Sequence, residues 1–364
     1  MMLITRRHLL AAAATTVAGA ADVRGQTTAD KSLIGAAKPK NLIYGAAVAN
    51  WQIDRDAILR RTFDRQCSTV VPEWEMKWGT IEPTRGTRNY SAADRIVSFG
   101  ASHSLTCRGH VAIWHRNLPS WVDPAMSTEG IKVIEAHIRD LMAHYKGKIK
   151  SWDIVNEAIE PKDGRPDGLR NSVFLRRLSP SYIGQAFSIA AEADPTIHGF
   201  YNEYGLYHND STDEARRTAV LALLQKLKSG GVPIYGLGVQ GHLSMGRPFS
   251  ASVFSNFLNQ VAALDLKILI TELDIDDRSL TQTVSERDRL VGERASQFLS
   301  AALSERAVEG VITWGLSDKY SWLNSATQKR SDGTLNRCLP YDENFQPKPF
   351  WYSLYYAFRS ASLR

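Results

Sequence analysis

Short runs of consecutive apolar residues recur along the chain and alternate with segments of helical periodicity. Apolar residues that follow one another, rather than alternating with polar ones, favour parallel strands covered on both faces. Eight such runs are present: Leu42–Val48, Thr69–Glu73, Leu105–Trp114, Ile149–Val155, Ile197–Tyr201, Ile234–Gln240, Lys267–Leu273 and Gly310–Trp314.

Helical patterns lie between these runs. Apolar residues three and four positions apart predict helices over residues 131–145 and 183–190, the second after Pro180 at a first helical position. A third pattern starts near Asp213 and stops at a pair of glycines, and residues 287–306 form a fourth. Eight strand-then-helix units predict a (β/α)8 TIM barrel, an α/β fold. The alternative is an open doubly wound sheet, which the lack of a glycine-rich phosphate turn disfavours in its nucleotide-binding form.

The first 21 residues have the plan of a secretory signal peptide. Arg6 and Arg7 precede an apolar run from Leu9 to about Ala20, which ends in small residues suited to cleavage. The paired arginines resemble a twin-arginine signal, with an ordinary secretory signal as the alternative. We therefore expect an exported protein, periplasmic or secreted.

The remaining chain is expected to form one domain. Residues 22–40 are small and polar and predict a flexible leader, and residues 41–364 contain no linker. No segment after the signal approaches 18 consecutive apolar residues, so we expect no membrane contact in the mature protein.

Composition excludes several protein classes. Hydrophobic residues make up 43% of the chain and charged residues 23%, which excludes a disordered, collagen-like or polytopic membrane protein. The formal net charge of +6 would suit a nucleic-acid binder only if the basic residues clustered, and they are scattered. Nine tryptophans are more informative, because large flat rings suit carbohydrate ligands as well as cores.

The three cysteines do not indicate a disulfide framework. Because Cys67, Cys107 and Cys338 are three, at least one thiol is unpaired. Their spacing predicts buried apolar thiols and leaves open whether two of them form a disulfide. No Cys-x-x-Cys or histidine-rich spacing is present, so we expect neither a metal nor a cofactor.

Candidate catalytic residues lie at the ends of two of the apolar runs. The fourth run continues into Asn156 and Glu157, and the seventh ends in Ile270-Thr271-Glu272-Leu273-Asp274. Because the reactive groups of a barrel project where its strands end, Glu157 and Glu272 are expected to face each other across its mouth. Paired carboxylates suit glycoside hydrolysis, in which one protonates the leaving oxygen and the other attacks or activates water. The same pair could ligate a hard metal, but the neighbouring side chains are Trp, His and Asn rather than further carboxylates.

The motifs around these residues resemble family 10 glycoside hydrolases, the endo-β-1,4-xylanase family. The match extends from about Leu42 to Tyr356, nearly the whole mature chain. Its elements appear in order: Glu75-Met76-Lys77-Trp78, Ile81-Glu82-Pro83, Arg108-Gly109-His110, Trp114-His115, Leu118-Pro119-Ser120-Trp121, WDIVNEA, Gln240-Gly241-His242-Leu243, ITELD, Trp314-Gly315-Leu316-Ser317-Asp318, Pro340-Tyr341-Asp342-Glu343-Asn344 and Pro347-Lys348-Pro349.

The resemblance implies a retaining endo-1,4-β-xylanase that hydrolyses xylan, with Glu157 as general acid/base and Glu272 as nucleophile. Retention of configuration needs carboxyl groups about 5–5.5 Å apart. The nucleophile must stay ionised, and His242 can donate a hydrogen bond to it while Asp274 orients His242.

Further residues match sugar-binding positions of the family. They are Glu73, Lys77, His110, Trp114, Asn156, Gln240, His242, Trp314 and Trp322. Trp121 is expected in the core and His115 in a structural role, while Tyr204 is left open between cleft and packing.

Two positions depart from the family pattern. Trp74 and Asn117 stand where the family usually has an asparagine and a glutamine that bind the sugar two positions from the cleaved bond, on the non-reducing side. We expect Trp74 to reshape this part of the cleft and to change selectivity for decorated or shorter chains.

Three other functions compete with xylan hydrolysis. A retaining barrel hydrolase acting on another or decorated β-glycan would share the carboxylate pair. A non-catalytic sugar-binding protein would not need the intact catalytic residues, and a nucleic-acid binder would need a basic stripe. We expect a monomer whose partner is a poly- or oligosaccharide.

Overall fold

The computed structural model describes residues 31–364. The strands of this region are β1 (Ile43–Val48), β2 (Thr69–Pro72), β3 (Thr106–Gly109), β4 (Ile113–Trp114), β5 (Ile149–Asn156), β6 (His198–Glu203), β7 (Gly236–Val239), β8 (His242–Ser244), β9 (Lys267–Asp276) and β10 (Val308–Thr313).

Eight of these strands form a closed parallel barrel. The order is β10-β1-β2-β3-β5-β6-β7-β9, and β9 pairs with β10 to close the ring. The short strands β4 and β8 extend the ring by pairing with β5 and β9. The structure thus confirms the predicted (β/α)8 TIM barrel and excludes the open sheet.

Helices surround the barrel. They are α1 (Leu33–Ala37), α2 (Asn50–Arg55), α3 (Ala57–Gln66), α4 (Trp78–Ile81), α5 (Ser91–Ser102), α6 (Val122–Glu129), α7 (Lys132–Tyr145), α8 (Val173–Leu178), α9 (Tyr182–Ala193), α10 (Ser211–Ser229), α11 (Ala251–Ala262), α12 (Val284–Ser304) and α13 (Pro349–Ser360). Short 3₁₀ helices cover Lys38–Lys40, Pro161–Asp163, Asp318–Tyr320 and Trp322–Asn324.

The apolar periodicity marks the helix faces that pack on the barrel. In α7, Ile134, Ile138 and Leu141 are fully buried at the spacings of three and four that predict the helix. Burying each of these side chains contributes roughly 1.5–3 kcal/mol. The predicted start of α9 is slightly wrong, because Pro180 lies in the preceding turn and the helix begins at Tyr182.

Each of the eight apolar runs overlaps a barrel strand, but the third run is divided. Its residues form β3 and then β4, with His110 between them. At the end of β3, a Cβ on Gly109 would come within 2.0 Å of the Trp152 ring, so only glycine fits there. The chain then leaves the ladder and presents His110 to the cleft.

The predicted leader over residues 22–40 is wrong for its last part. Leu33 and Ala37 are fully buried, and the Leu33 backbone N–H donates to Gln66 Oε1 at 3.0 Å. Helix α1 packs against α13, at the other end of the sequence. The domain therefore includes residues from Ser32, and not only those from 41. The predicted signal peptide over residues 1–21 and residues 22–30 of the leader lie outside the described residues.

Within residues 31–364, no helix has the length and apolarity needed to cross a membrane. The three cysteines are buried and free, so the bridge that the sequence left open does not form. Burial raises the pKa of the Cys107 thiol to about 12, which makes it a poor nucleophile.

Candidate active site

A cleft of about 450 Å³ lies where the barrel strands end at their carboxyl side. All eleven side chains predicted to catalyse the reaction or bind sugar line it. Asp274, predicted to orient His242, lies behind this lining and contacts His242 and Trp322. Within the described residues, no group of three or more His, Cys, Asp or Glu side chains could hold a metal ion.

Glu272 on β9 is buried and held by two donors. Asn202 Nδ2 donates to its Oε1 at 2.7 Å, and His242 Nε2 lies 3.2 Å from its Oε2. Burial opposes ionisation, but the His242 hydrogen bond, the nearby His110 and the Asn202 hydrogen bond outweigh it and lower the pKa of Glu272. The carboxylate is thus suited to act as a nucleophile at neutral pH.

His242 is itself held by Asp274. Its Nδ1 lies 2.8 Å from Asp274 Oδ1, and Trp322 Nε1 donates to Asp274 Oδ2 at 2.7 Å. Burial alone would lower the pKa of His242, but the charge of Asp274 and hydrogen bonds to both carboxylates raise it to about 10. His242 is therefore a cation at neutral pH and stabilises the negative charge on Glu272.

Glu157 follows β5 and lies only partly buried in the cleft. Gln240 Nε2 donates to its Oε1 at 3.1 Å and lies 3.3 Å from the side-chain amide of Asn156. Asn202 Nδ2 lies 2.9 Å from that amide. A chain of amides therefore connects Glu157 to Glu272 and fixes both carboxyl groups in one site.

A second buried ion network supports the floor of the cleft. His110 Nδ1 lies 3.0 Å from Asp153 Oδ2, and Arg108 forms an ion pair with the other oxygen of Asp153. The edge of His110 meets Trp314, with ring centroids 5.3 Å apart. His110 is thus fixed in orientation near Glu272.

Aromatic rings and one lysine form the wall near β2. Lys77 is buried, with its ammonium group 3.8 Å from the centroid of Trp74 and 4.8 Å from that of Trp114. Burial lowers the pKa of Lys77, and the nearby carboxylates Glu272, Glu73 and Glu157 oppose this shift. Burial raises the pKa of Glu73 to about 7. This wall can present both apolar faces and hydrogen-bond donors to a sugar ring.

The two departures from the family pattern differ in position. Trp74 lines the cleft with 49% of its surface exposed. Asn117 does not line it, because its carbonyl accepts from Gly79 N at 2.8 Å and its side chain packs against Gly79. Arg116 lines the cleft instead.

Sequence reasoning missed several residues of the site. Tyr207 and Arg247 line the cleft and were not predicted, and Tyr204, which the sequence leaves open between cleft and packing, lines it too. Trp121 packs against the core as expected. Asn202, which donates to Glu272, was also missed. A signal existed for it: like Asn156 and Glu157, it is a polar residue at the end of an apolar run.

Comparison with known proteins places the chain in a family. The family model for glycosyl hydrolase family 10 matches residues 32–357. A beta-1,4-xylanase of Dictyoglomus thermophilum is 33% identical over 319 residues, covering 84% of this chain and 86% of that protein. Endo-1,4-beta-xylanase 3 of Hypocrea jecorina is 35% identical over 287 residues, covering 78% of this chain and 74% of that protein.

Solved structures agree with this assignment. The crystal structure of native xylanase 10B from Thermotoga maritima superposes with a TM-score of 0.81 at 30% identity, covering 90% of this chain and 98% of that one. The complex of xylanase 10B from Thermotoga petrophila RKU-1 with xylobiose gives the same TM-score, covering 90% and 97%. The chain therefore belongs to glycosyl hydrolase family 10.

Proposed function

We propose that this glycoside hydrolase is a retaining endo-1,4-β-xylanase, with Glu272 as nucleophile and Glu157 as general acid/base. The observation that carries the proposal is the pair of carboxyl groups of Glu157, just after β5, and Glu272, within β9, which are joined through Gln240, Asn156 and Asn202. Their environments differ as the two roles require, because Glu272 is buried against a cation and Glu157 faces the cleft.

The reaction proceeds in two displacements. In the first, a Glu272 carboxylate oxygen forms a bond to the anomeric carbon, while the glycosidic bond breaks and Glu157 gives its proton to the departing oxygen. In the second, water attacks the same carbon and gives a proton to Glu157, and the ester bond to Glu272 breaks. His242 and Asn202 stabilise the charge that returns to Glu272.

Product analysis tests the proposal and its nearest competitor. Xylan should give internal fragments of mixed length early in the reaction, and cellulose should give far less product. Proton NMR during the first minutes should show the β-anomer first, because two inversions restore the configuration. Initial α-anomer would contradict the double displacement, and faster cleavage of cellulose would favour another β-glycan as substrate.

The Asp274–His242 pair should set the acid side of the activity profile. Asp274→Asn removes the charge that keeps His242 protonated, so the pKa of His242 falls and Glu272 loses a cationic donor. The pKa of Glu272 then rises, and the acid limb of kcat/KM should move to higher pH by about one unit or more. Asp276→Asn is the control, because Asp276 pairs with Arg278 away from the cleft. An unchanged acid limb in the Asp274 variant would contradict this coupling.

Trp74 should govern selectivity on the glycone side. Its ring covers the Lys77 ammonium and leaves an exposed apolar surface in the cleft, where an amide would offer hydrogen bonds. Trp74→Asn should raise kcat/KM for unsubstituted xylo-oligosaccharides relative to decorated ones by about fivefold, since one such hydrogen bond contributes about 1 kcal/mol. Trp74→Phe keeps a flat apolar ring and should retain the parent ratio. Equal ratios in the parent and the Asn variant would refute the role of Trp74.

We also infer export by the twin-arginine route with removal of residues 1–21, and a monomeric mature enzyme. The support is the sequence of the first 21 residues, which carries Arg6 and Arg7 before an apolar run. N-terminal sequencing of exported enzyme tests the cleavage, and sedimentation analysis tests the monomer.

A further inference from the structure

Glu157, the proposed general acid/base, has a backbone conformation that surrounding contacts must hold. Glu157 has a φ of +58°, in the left-handed region that non-glycine residues seldom occupy. Such a conformation is strained and persists only where surrounding contacts enforce it. Two backbone contacts act directly on Glu157: its N–H donates to Asn202 O at 2.9 Å, and its carbonyl accepts from Arg170 Nε at 2.8 Å.

Glu203, at the end of β6, holds the chain just after Glu157. Its Oε2 accepts from the Ile159 N–H at 3.1 Å and from the Tyr201 hydroxyl, and its Oε1 accepts from the Tyr204 N–H at 3.1 Å. Glu203 is fully buried and does not line the cleft. Both of its oxygens thus accept from backbone donors, and one of these donors lies two residues after Glu157.

Arg216 on α10 completes the restraint. Its guanidinium donates to the Ile159 carbonyl and, at 3.0 Å, to Glu160 Oε1, and it lies 3.8 Å from Glu203 Oε1. Tyr204 donates to the other oxygen of Glu160 at 2.9 Å. Side chains from β6 and α10 therefore hold both the N–H and the C=O of Ile159.

We propose that Glu203 and Arg216 are positioning residues for acid catalysis, which hold residues 157–160 so that the Glu157 carboxyl meets the glycosidic oxygen. This inference rests on the proposed role of Glu157. Because neither residue lines the cleft, each acts on the reaction through the residues that it holds, which are residues 157–160 and Tyr204. A displacement of about 1 Å at a reacting group can cost about 100-fold in rate. In variants of Glu203 or Arg216, kcat/KM should therefore fall most for substrates whose leaving group needs a proton.

The test compares leaving groups in the variant Glu203→Gln. An amide places an N–H group against a backbone N–H donor and so breaks one of the two backbone contacts. The control is Glu309→Gln, because Glu309 also accepts from a tyrosine hydroxyl, that of Tyr235 at 2.7 Å, but lies on β10 away from the cleft. The substrates are phenyl β-xylobioside, whose phenolate leaves poorly without a proton, and 2,4-dinitrophenyl β-xylobioside, whose phenolate leaves without one.

In Glu203→Gln, kcat/KM should fall about 10- to 100-fold on the phenyl substrate and on xylotetraose. On the dinitrophenyl substrate it should stay within about threefold, and the control should match the parent on all three. Equal losses on both aryl substrates, or no loss on either, would overturn the proposal.

The circular dichroism spectrum and the melting temperature show whether Glu203→Gln folds. If it does not, a second variant tests the proposal. Arg216→Lys keeps the positive charge but loses the planar fork whose two nitrogens donate separately to Ile159 and Glu160, so it should show the same dependence on the leaving group. A folded Arg216→Lys enzyme without that dependence would refute the proposal. If the parent enzyme cleaves none of these substrates, the proposed function fails, which is a different outcome from a failure of the positioning role.

Discussion

Replacing Glu272 by alanine is expected to abolish hydrolysis of xylan and of 2,4-dinitrophenyl β-xylobioside alike. Both displacements pass through this carboxylate, so a better leaving group cannot compensate for its loss. Removing the reacting nucleophile of a hydrolase typically costs on the order of 10⁶-fold in kcat. The measurement is kcat/KM on both substrates, with Glu309→Gln as the control for a carboxylate lost elsewhere in the barrel.

Trapping the intermediate would test the same role in the unmodified enzyme. A 2-deoxy-2-fluoro xylobioside with a good leaving group should form the ester and hydrolyse slowly, because the fluorine destabilises the oxocarbenium-like transition states of both steps. Mass spectrometry should then find the glycosyl label on the peptide that contains Glu272. A label on another carboxylate, or substantial activity of Glu272→Ala on the dinitrophenyl substrate, would show that the nucleophile lies elsewhere.

The barrel frame was predictable because it depends on local sequence patterns. Continuous apolar runs mark strands buried on both faces, and each of the eight runs overlaps a barrel strand. The end of a run then marks where a side chain can project into the cleft. This relation predicts Glu157 and Glu272 as candidate site residues, and the structure places both in one cavity.

Contacts between distant parts of the chain were harder to predict. Helix α1 has only five residues, and its burial depends on Gln66 and on the C-terminal helix α13, to which no local pattern points. Asn202 on β6 reaches Glu272 on β9 across 70 positions of sequence, because β7 pairs with both strands. The hydrogen bonds of Glu203 and Arg216 to Ile159 likewise depend on how β6 and α10 meet the loop after β5.

The two departures from the family pattern also take different places in the structure. Asn117 matches a position that the family pattern assigns to sugar binding, but its side chain packs against Gly79 and does not line the cleft. Trp74, by contrast, lines the cleft as its position in the pattern suggests. The two substitutions therefore cannot be treated as a pair, and Trp74 alone is the position to test.

Replacing Glu157 by alanine should separate the two displacements. Xylan and xylotetraose need protonation of the leaving oxygen, so their kcat/KM should fall by about 10²–10⁴-fold, the usual contribution of a general acid. The dinitrophenyl substrate should form the ester at nearly the parent rate. Hydrolysis of the ester should then become slow, because water has lost its general base.

Slow second displacement has a measurable consequence. The ester should accumulate, so that kcat and KM for the dinitrophenyl substrate fall together while kcat/KM changes little. Azide needs no general base and can enter the space that the missing carboxyl leaves beside Gln240, which donates to Glu157 in the parent enzyme. Added azide should therefore restore kcat and yield β-xylobiosyl azide, since it attacks the face opposite to Glu272. Equal losses on all substrates without rescue by azide would mean that Glu157 is not the general acid/base. An α-azide would mean that the intermediate is not an ester on Glu272.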